Sequence, residues 1–172
     1  NKDLNVLNVD MSSNLIKECI QQGIPSINKK WGLNVAKSIS NKFKLITTTN
    51  CFQHTKDIND FVKGVKYSLD KDGLWCLEFP YWENSLSTNQ FDQVYHEHAY
   101  YYLVSPLKIL FEKHNLQVVD VSKQNIHGGS LRIIISHKNQ FSILKSVDNF
   151  IKLEKETLNE GYYKKWASNK HV

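Results

Sequence analysis

The sequence predicts an α/β protein built on an open sheet. Three observations carry that expectation: short β-rich runs alternate with amphipathic stretches, residues 74–79 are a nearly continuous apolar run, and turn residues punctuate the junctions. Residues 5–9 read as a first strand, closed by Asp10. Ser12 or Ser13 then offers an N-cap for a helix over 14–22, and Gly23 ends it because glycine enters the left-handed region at low cost. Residues 44–49 are the second strand. A helix over 57–69 follows, with Ile58, Phe61, Val62, Val65 and Leu69 on one side, and residues 70–73 read as a turn. The run 74–79 suits the middle of a parallel sheet covered on both faces. Residues 80–103 form a long polar and aromatic loop, and loops of that length in a compact domain are usually functional. A helix over 105–114, strands over 116–121 and 130–136, and a charged helical segment from residue 141 complete the pattern.

A chain of 172 residues with 41% hydrophobic and 23% charged residues has the composition of an ordinary soluble globular protein with one substantial core. It contains no apolar run of the roughly 20 residues that a membrane-spanning helix needs, and no basic-then-apolar leader opens it. A cytoplasmic location and no membrane partner follow as expectations. The formal net charge is +5, but only Lys29-Lys30 and Lys164-Lys165 are adjacent and carboxylates are interleaved. That pattern describes a solvated surface rather than a nucleic-acid footprint, and a mildly positive field equally favours an anionic small molecule such as a nucleotide sugar. Cys19, Cys51 and Cys76 are far apart and odd in number, which fits reduced, buried thiols and no metal site.

In an open α/β sheet, ligands bind outside the carboxyl ends of the strands. Function is therefore expected at Asp10, at residues 49–54, at residues 78–82 and in Tyr95-His96-Glu97-His98. In an extended segment His96 and His98 share a face; in a helical turn Tyr95 and His98 do. Either arrangement sets an imidazole, with an unperturbed pKa near ~6.5, beside a phenol and a carboxylate able to tune it as a general base. The competing reading is a polar segment with hydrogen-bonded histidines. His96 and His98 have ligand-like spacing, yet no third ligand is near, so no metal is expected. Asp10 suits the two hydroxyls of a ribose, since a carboxylate accepts two hydrogen bonds, and suits a helix cap as well. Trp31 either flanks an adenine ring or packs as a core indole. His127-Gly128-Gly129 reads as a tight turn needing positive φ, or as a loop approaching a sugar phosphate. His114, at the end of a helix, complements its dipole, and Trp75 and Phe79 belong to the sheet core.

Four segments together resemble the S-adenosylmethionine-dependent sugar C-methyltransferases. They are Thr49-Asn50-Cys51-Phe52-Gln53-His54-Thr55-Lys56-Asp57 with Phe61-Val62-Lys63-Gly64-Val65, then Gly73 to Tyr81 with Glu78-Phe79-Pro80-Tyr81, then Phe91-Asp92-Gln93-Val94-Tyr95-His96-Glu97-His98, and His127-Gly128-Gly129-Ser130-Leu131-Arg132. They stand in the family's order and spacing from about residue 5 to about residue 138. The resemblance implies a Rossmann-like class I methyltransferase sheet, S-adenosyl-L-methionine as cofactor and a nucleotide-linked keto sugar as acceptor. It also implies a zinc-binding N-terminal domain, a first strand with a glycine-rich loop, and a C-terminal domain. The zinc domain, the family's own first strand and its glycine-rich loop are not in this chain, so the expectation is a fragment without independent activity: a partial core over 1–140 and the helical start of a truncated domain over 141–172.

Methylating carbon needs a carbanion equivalent, reached by removing a proton next to a ketone, so the protein must supply a base and an oxyanion partner. His98, Tyr95, His54 and Glu97 are the candidate catalytic residues. The resemblance points to His98 as base with Tyr95 and His54 assisting, while the division of roles stays open. Asp10, Thr49, Asn50 and Trp31 are the candidates for the cofactor. Glu78, Tyr81, His96, His127, Gly128, Ser130 and Arg132 are the candidates for the acceptor. The remaining alternatives are a non-catalytic binding module of the same fold and a methyltransferase with another small-molecule acceptor.

Overall fold

The computed structural model describes residues 4–168; residues 1–3 and 169–172, the outer ends of the two expected segments, lie outside the described residues. The chain opens with β1 (Asn8–Asp10), α1 (Ser13–Gln21), β2 (Ser26–Asn28) and α2 (Leu33–Ser38). β1 and β2 pair in parallel as a small sheet of their own. β2 and α2 were not expected, because three and six residues are too few to show a period; what defines β2 is its pairing with β1. Gly23 takes the expected positive φ of 78° after α1. Ser12 occupies the N-cap position without a side-chain bond, and instead its backbone N–H donates to Asp10 Oδ1 at 2.6 Å.

The main sheet contains β3 (Phe43–Thr49), β4 (Leu69–Pro80), β5 (Leu116–Gln124) and β6 (Ser130–His137) in the order β3-β4-β6-β5. β3 and β4 are parallel and joined through α3 (Ile58–Ser68), while β6 runs antiparallel between β4 and β5. The expected all-parallel surroundings of 74–79 are therefore corrected to a mixed sheet. The expected turn at 70–73 is also absorbed into β4. Phe43 pairs with Leu69 and Leu45 with Leu74, so the extra residues form an irregularity in the ladder, tied down where Lys44 reaches Asp70 and Asp72.

Trp75, Leu77 and Phe79 alternate along β4 onto the face that meets α3 and α5 (Val104–Lys113), joined by Phe52, Phe61, Leu107 and Phe111 in one cluster. Fully burying side chains of this size contributes about 1.5–3 kcal/mol each. Trp75 satisfies its indole N–H by donating to Thr48 Oγ1 at 2.9 Å. Residues 80–103 are more ordered than a plain loop: α4 (Trp82–Ser87) and a short 3-10 turn at Phe91–Gln93 punctuate them. Beyond β6, α6 (Lys145–Thr157) packs through Val147 into the same core and α7 (Glu160–Ser168) follows it.

The small sheet is held to the main one by a close helix approach. Gly64, inside α3, faces the backbone of Gly32 at the start of α2; a Cβ at Gly64 would lie 2.9 Å from the Gly32 carbonyl carbon. Asp60 of α3 accepts from the Leu33 N–H at 3.3 Å, and Trp31 donates to the Phe61 carbonyl at 3.3 Å.

Candidate active site

Because β3 and β4 are parallel and β6 antiparallel, one end of the sheet gathers the carboxyl ends of β3 and β4 and the start of β6. The site forms there. β3 ends in Thr49 and Asn50, whose positive φ of 50° turns the chain into a 3-10 turn at Phe52–His54. Phe52 locks that turn into the core, stacked on Tyr102 with ring centroids 5.0 Å apart. The turn is then stitched to the segment carrying the Tyr-His-Glu-His motif. The Ala99 N–H donates to the Gln53 carbonyl at 2.9 Å, Tyr102 Oη to the Phe52 carbonyl at 3.2 Å, and Tyr100 Oη to the Lys56 carbonyl at 3.1 Å. Backbone and phenol bonds thus fix the relative position of two segments more than 40 residues apart in sequence.

This stitching brings His54, Tyr95 and His98 together. The His54 and His98 rings are 4.9 Å apart and the Tyr95 and His98 rings 4.3 Å apart. His98 Nδ1 lies 2.8 Å from the Gln93 carbonyl and His54 Nδ1 3.0 Å from the Glu97 carbonyl. A carbonyl oxygen only accepts, so each Nδ1 carries a proton. Desolvation holds the His98 pKa below its ordinary 6.5, with the neighbouring His54 acting in the same direction against the Gln93 carbonyl. His98 is therefore neutral at neutral pH, with a free basic nitrogen beside a phenol that is 41% exposed. Glu97 contributes its carbonyl to His54 while its residue remains exposed, as does His96.

On the β1 side, Asp10 ends its strand with Oδ1 engaged by Ser12. Its charge is felt at Cys51, whose thiol is pushed up to about 11, first by desolvation among its neighbours and second by Asp10. Asp10 and the end of β3 thus face a common region. Asn50 Oδ1 is buried there with no hydrogen-bond partner among the described residues. Thr49 is exposed beside it. All three cysteines are free, and the expectation of buried thiols is corrected: the Cys51 residue is exposed in the turn after β3, although its sulfur is crowded enough to be desolvated, and Cys19 on α1 and Cys76 on β4 are half-buried.

Several other candidates have their polar groups engaged within the protein. Tyr81 is 0% exposed and donates from Oη to Glu154 Oε1 at 3.1 Å, and burial followed by Glu154 raises its pKa, so it is a core residue and not an acceptor contact. Glu78 and Arg132 face each other across the β4–β6 ladder, with Arg132 Nε and Nη2 donating to Glu78 Oε2 at 3.1 and 2.8 Å. They form an ion pair within the sheet. Ser130 is buried and donates to the Ile126 carbonyl, closing the β5–β6 turn. His127 and Gly128 take the positive φ values of that turn, and the Gly128 carbonyl accepts from Asn84 and Gln90, which ties the turn to α4. Trp31 is half-buried, with its N–H donated to the Phe61 carbonyl and its ring 6.4 Å from that phenyl.

A small cavity of about 10 Å³ beside His98 is lined by residues that the candidate set leaves out, chiefly Gln53, Trp82, Tyr100 and Tyr101. Trp82 and Tyr101 sit 4.7 Å apart, and Tyr101 lies 6.2 Å from His98. Their aromatic character inside a polar loop was the available signal; their convergence depends on the fold. Among the described residues, no group of three or more His, Cys, Asp or Glu side chains is placed to hold a metal ion, and no helix is long and apolar enough to cross a membrane.

The chain is 36% identical over 129 residues to the C-methyltransferase NovU of Streptomyces niveus. That alignment covers 73% of this chain and 31% of the relative, so the chain spans about a third of the length of the curated relative it matches. No family model matches the chain. Among solved structures, an S-adenosylmethionine-dependent methyltransferase from Clostridium acetobutylicum superposes with a TM-score of 0.61 at 14% identity, covering 79% of this chain and 76% of that one. Magnesium protoporphyrin IX methyltransferase from Synechocystis, with S-adenosylhomocysteine bound, superposes with a TM-score of 0.56 at 10% identity, covering 77% and 64%. The chain therefore has the Rossmann-like class I fold of the S-adenosylmethionine-dependent methyltransferases.

Proposed function

We propose that this chain carries the acceptor site and part of the cofactor site of an S-adenosylmethionine-dependent C-methyltransferase acting on a nucleotide-linked keto sugar. The observation that carries the reading is the neutral His98 imidazole, desolvated, oriented by the Gln93 carbonyl, and grouped with Tyr95 and His54 at the ligand-binding end of the sheet. The similarity to a C-methyltransferase supports carbon as the atom methylated.

The residues at the ends of β1 and β3 fit the cofactor. The free Asp10 Oδ2 would take a ribose hydroxyl, and the buried Asn50 Oδ1 is an acceptor that calls for a donor from a bound molecule. When bound, the cofactor supplies an electrophilic methyl group. His98 Nε2 removes the proton from the carbon next to the acceptor ketone, and its imidazolium spreads the charge to Nδ1, where the Gln93 carbonyl accepts. Tyr95 donates from its phenol to the developing enolate oxygen, while His54, its Nδ1–H held by the Glu97 carbonyl, packs beside His98. The carbanion equivalent would take the methyl group from the sulfonium, whose sulfur would leave as a neutral thioether.

His98→Asn in the full-length protein is expected to leave cofactor affinity nearly unchanged and to reduce turnover by about 10²-fold or more. Deuterium exchange from solvent into the acceptor's α-carbon, followed by mass spectrometry, should fall in parallel. Exchange at the normal rate in the variant would move the base to another group, with His54 the first to test.

A further inference from the structure

Gln53 sits between Phe52, which is locked in the core, and His54, and its residue is 5% exposed. Its backbone carbonyl is satisfied by the Ala99 N–H. Its side-chain Oε1 is buried with no hydrogen-bond partner among the described residues. A buried amide oxygen left in that state costs about 1–3 kcal/mol, so a group that pairs with it is strongly favoured. The same side chain lines the cavity of about 10 Å³ beside His98, with Pro80, Trp82 and Tyr101 among its other walls. That volume is at the lower limit for one water molecule, which is also the size of one hydroxyl group.

We infer that the Gln53 amide receives a single hydroxyl group of the methyl acceptor and so sets which carbon is presented to His98. The inference rests on the proposed methyl-transfer reading and names a recognition element within it. The chemistry of the pocket selects the hydroxyl. A carbonyl or ether oxygen only accepts and would leave Oε1 unpaired, while a hydroxyl both donates and accepts and pairs with the amide whichever way it is turned. An ammonium group would be desolvated against walls that carry no carboxylate, His98 being neutral. Because His98 lines the same cavity, a hydroxyl held at Gln53 anchors the ring carbon near it within reach of the imidazole and leaves carbons further round the ring out of reach. Gln53 is thus a positioning and specificity residue, with the proton transfer itself left to His98.

The test is Gln53→Met in the full-length protein, which keeps the length of the side chain and removes both polar atoms. With the natural acceptor, kcat/KM is expected to fall about tenfold or more, the usual effect of losing one hydrogen bond in a desolvated site. Among monodeoxy analogues of the acceptor, one should lose a comparable factor with the wild-type protein and lose nothing further with Gln53→Met. The melting temperature, read without acceptor, should hold or rise, since an unpaired buried amide has been replaced by an apolar group. A lower melting temperature, with every analogue affected equally, would mean that Gln53 holds a structural water and would overturn the inference. Unchanged kinetics with the natural acceptor would overturn it as well. Failure of the methyl-transfer reading is seen separately, in wild-type protein that transfers no methyl group to carbon, and the melting comparison still stands or falls on its own.

Discussion

At the residue scale, the chemistry of the site follows from which nitrogen carries a proton. Carbonyl acceptors at Gln93 and Glu97 fix Nδ1–H on both rings, and in His98, whose pKa is lowered by desolvation, this leaves Nε2 as the basic nitrogen. Because desolvation lowers the His98 pKa below 6.5, the acid limb of kcat/KM in a pH–rate profile is expected below that value, and His98→Asn should abolish the limb. The same shift has a sign for stability. The unfolded chain binds the proton first, so the stability due to neutral His98 is complete above 6.5 and is lost as pH falls from there toward the lower folded value. Equilibrium unfolding as a function of pH checks the direction. Tyr95→Phe keeps the ring against His98 and removes only the hydroxyl, so its loss should appear in turnover, be smaller than that of His98→Asn, and leave cofactor binding intact. Wild-type turnover in Tyr95→Phe would make the phenol a packing group.

At the element scale, α5 has no capping side chain of its own, since Leu103 stands at its N-cap. The cap comes from Glu154 of α6. Its carboxylate, in a residue only 3% exposed, accepts from the Val104 N–H at 2.6 Å, the Ser105 N–H at 2.9 Å, Ser105 Oγ at 2.6 Å and Tyr81 Oη at 3.1 Å. A negative charge at a helix N-terminus is favourable in itself, and here it also fastens α6 to the loop that leads out of the site. Glu154→Leu would strand several buried donors at once. It is expected to destabilise the protein by about 3 kcal/mol or more, read from denaturant unfolding, because each unpaired buried group costs on the order of 1–3 kcal/mol. A loss under 1 kcal/mol would mean that water reaches those donors.

At the scale of the whole molecule, the placement of Asp10 relative to His98 depends on how α2, which follows the β1–β2 sheet, packs against α3. Gly64 is the contact point, with the Gly32 carbonyl oxygen and Trp31 Nε1 both 3.0 Å from where a Cβ would be. Alanine is the better helix former by about 1 kcal/mol, so propensity alone predicts that Gly64→Ala stabilises. The facing backbone cannot yield as a flexible side chain would, and the expected result is the reverse: a lower melting temperature and weaker S-adenosylmethionine binding by calorimetry, from displacement of Asp10. A stabilised variant with unchanged affinity would show that the two helices slide apart at no cost.

What the sequence determined by itself were features written in local chemistry. The hydrophobic period places α3, the nearly continuous apolar run places the second half of β4, and the left-handed residues Gly23, Gly128 and Gly129 mark turns, because each depends on neighbours a few positions away. The approach of Tyr95 to His98 was one of two arrangements that local geometry allowed, and the turn closed by the His98 N–H on the Tyr95 carbonyl selects it. Tertiary structure alone decided the insertion of β6 between β4 and β5, the withdrawal of Glu78 with Arg132, and the unpaired Gln53 amide beside His98. Tyr81 is the clearest case, a phenol in an aromatic loop whose partner Glu154 is 73 residues away. Whether a polar side chain faces a ligand or a partner within the protein is set by where its hydrogen bond goes, and over such a separation only the packed chain fixes that direction.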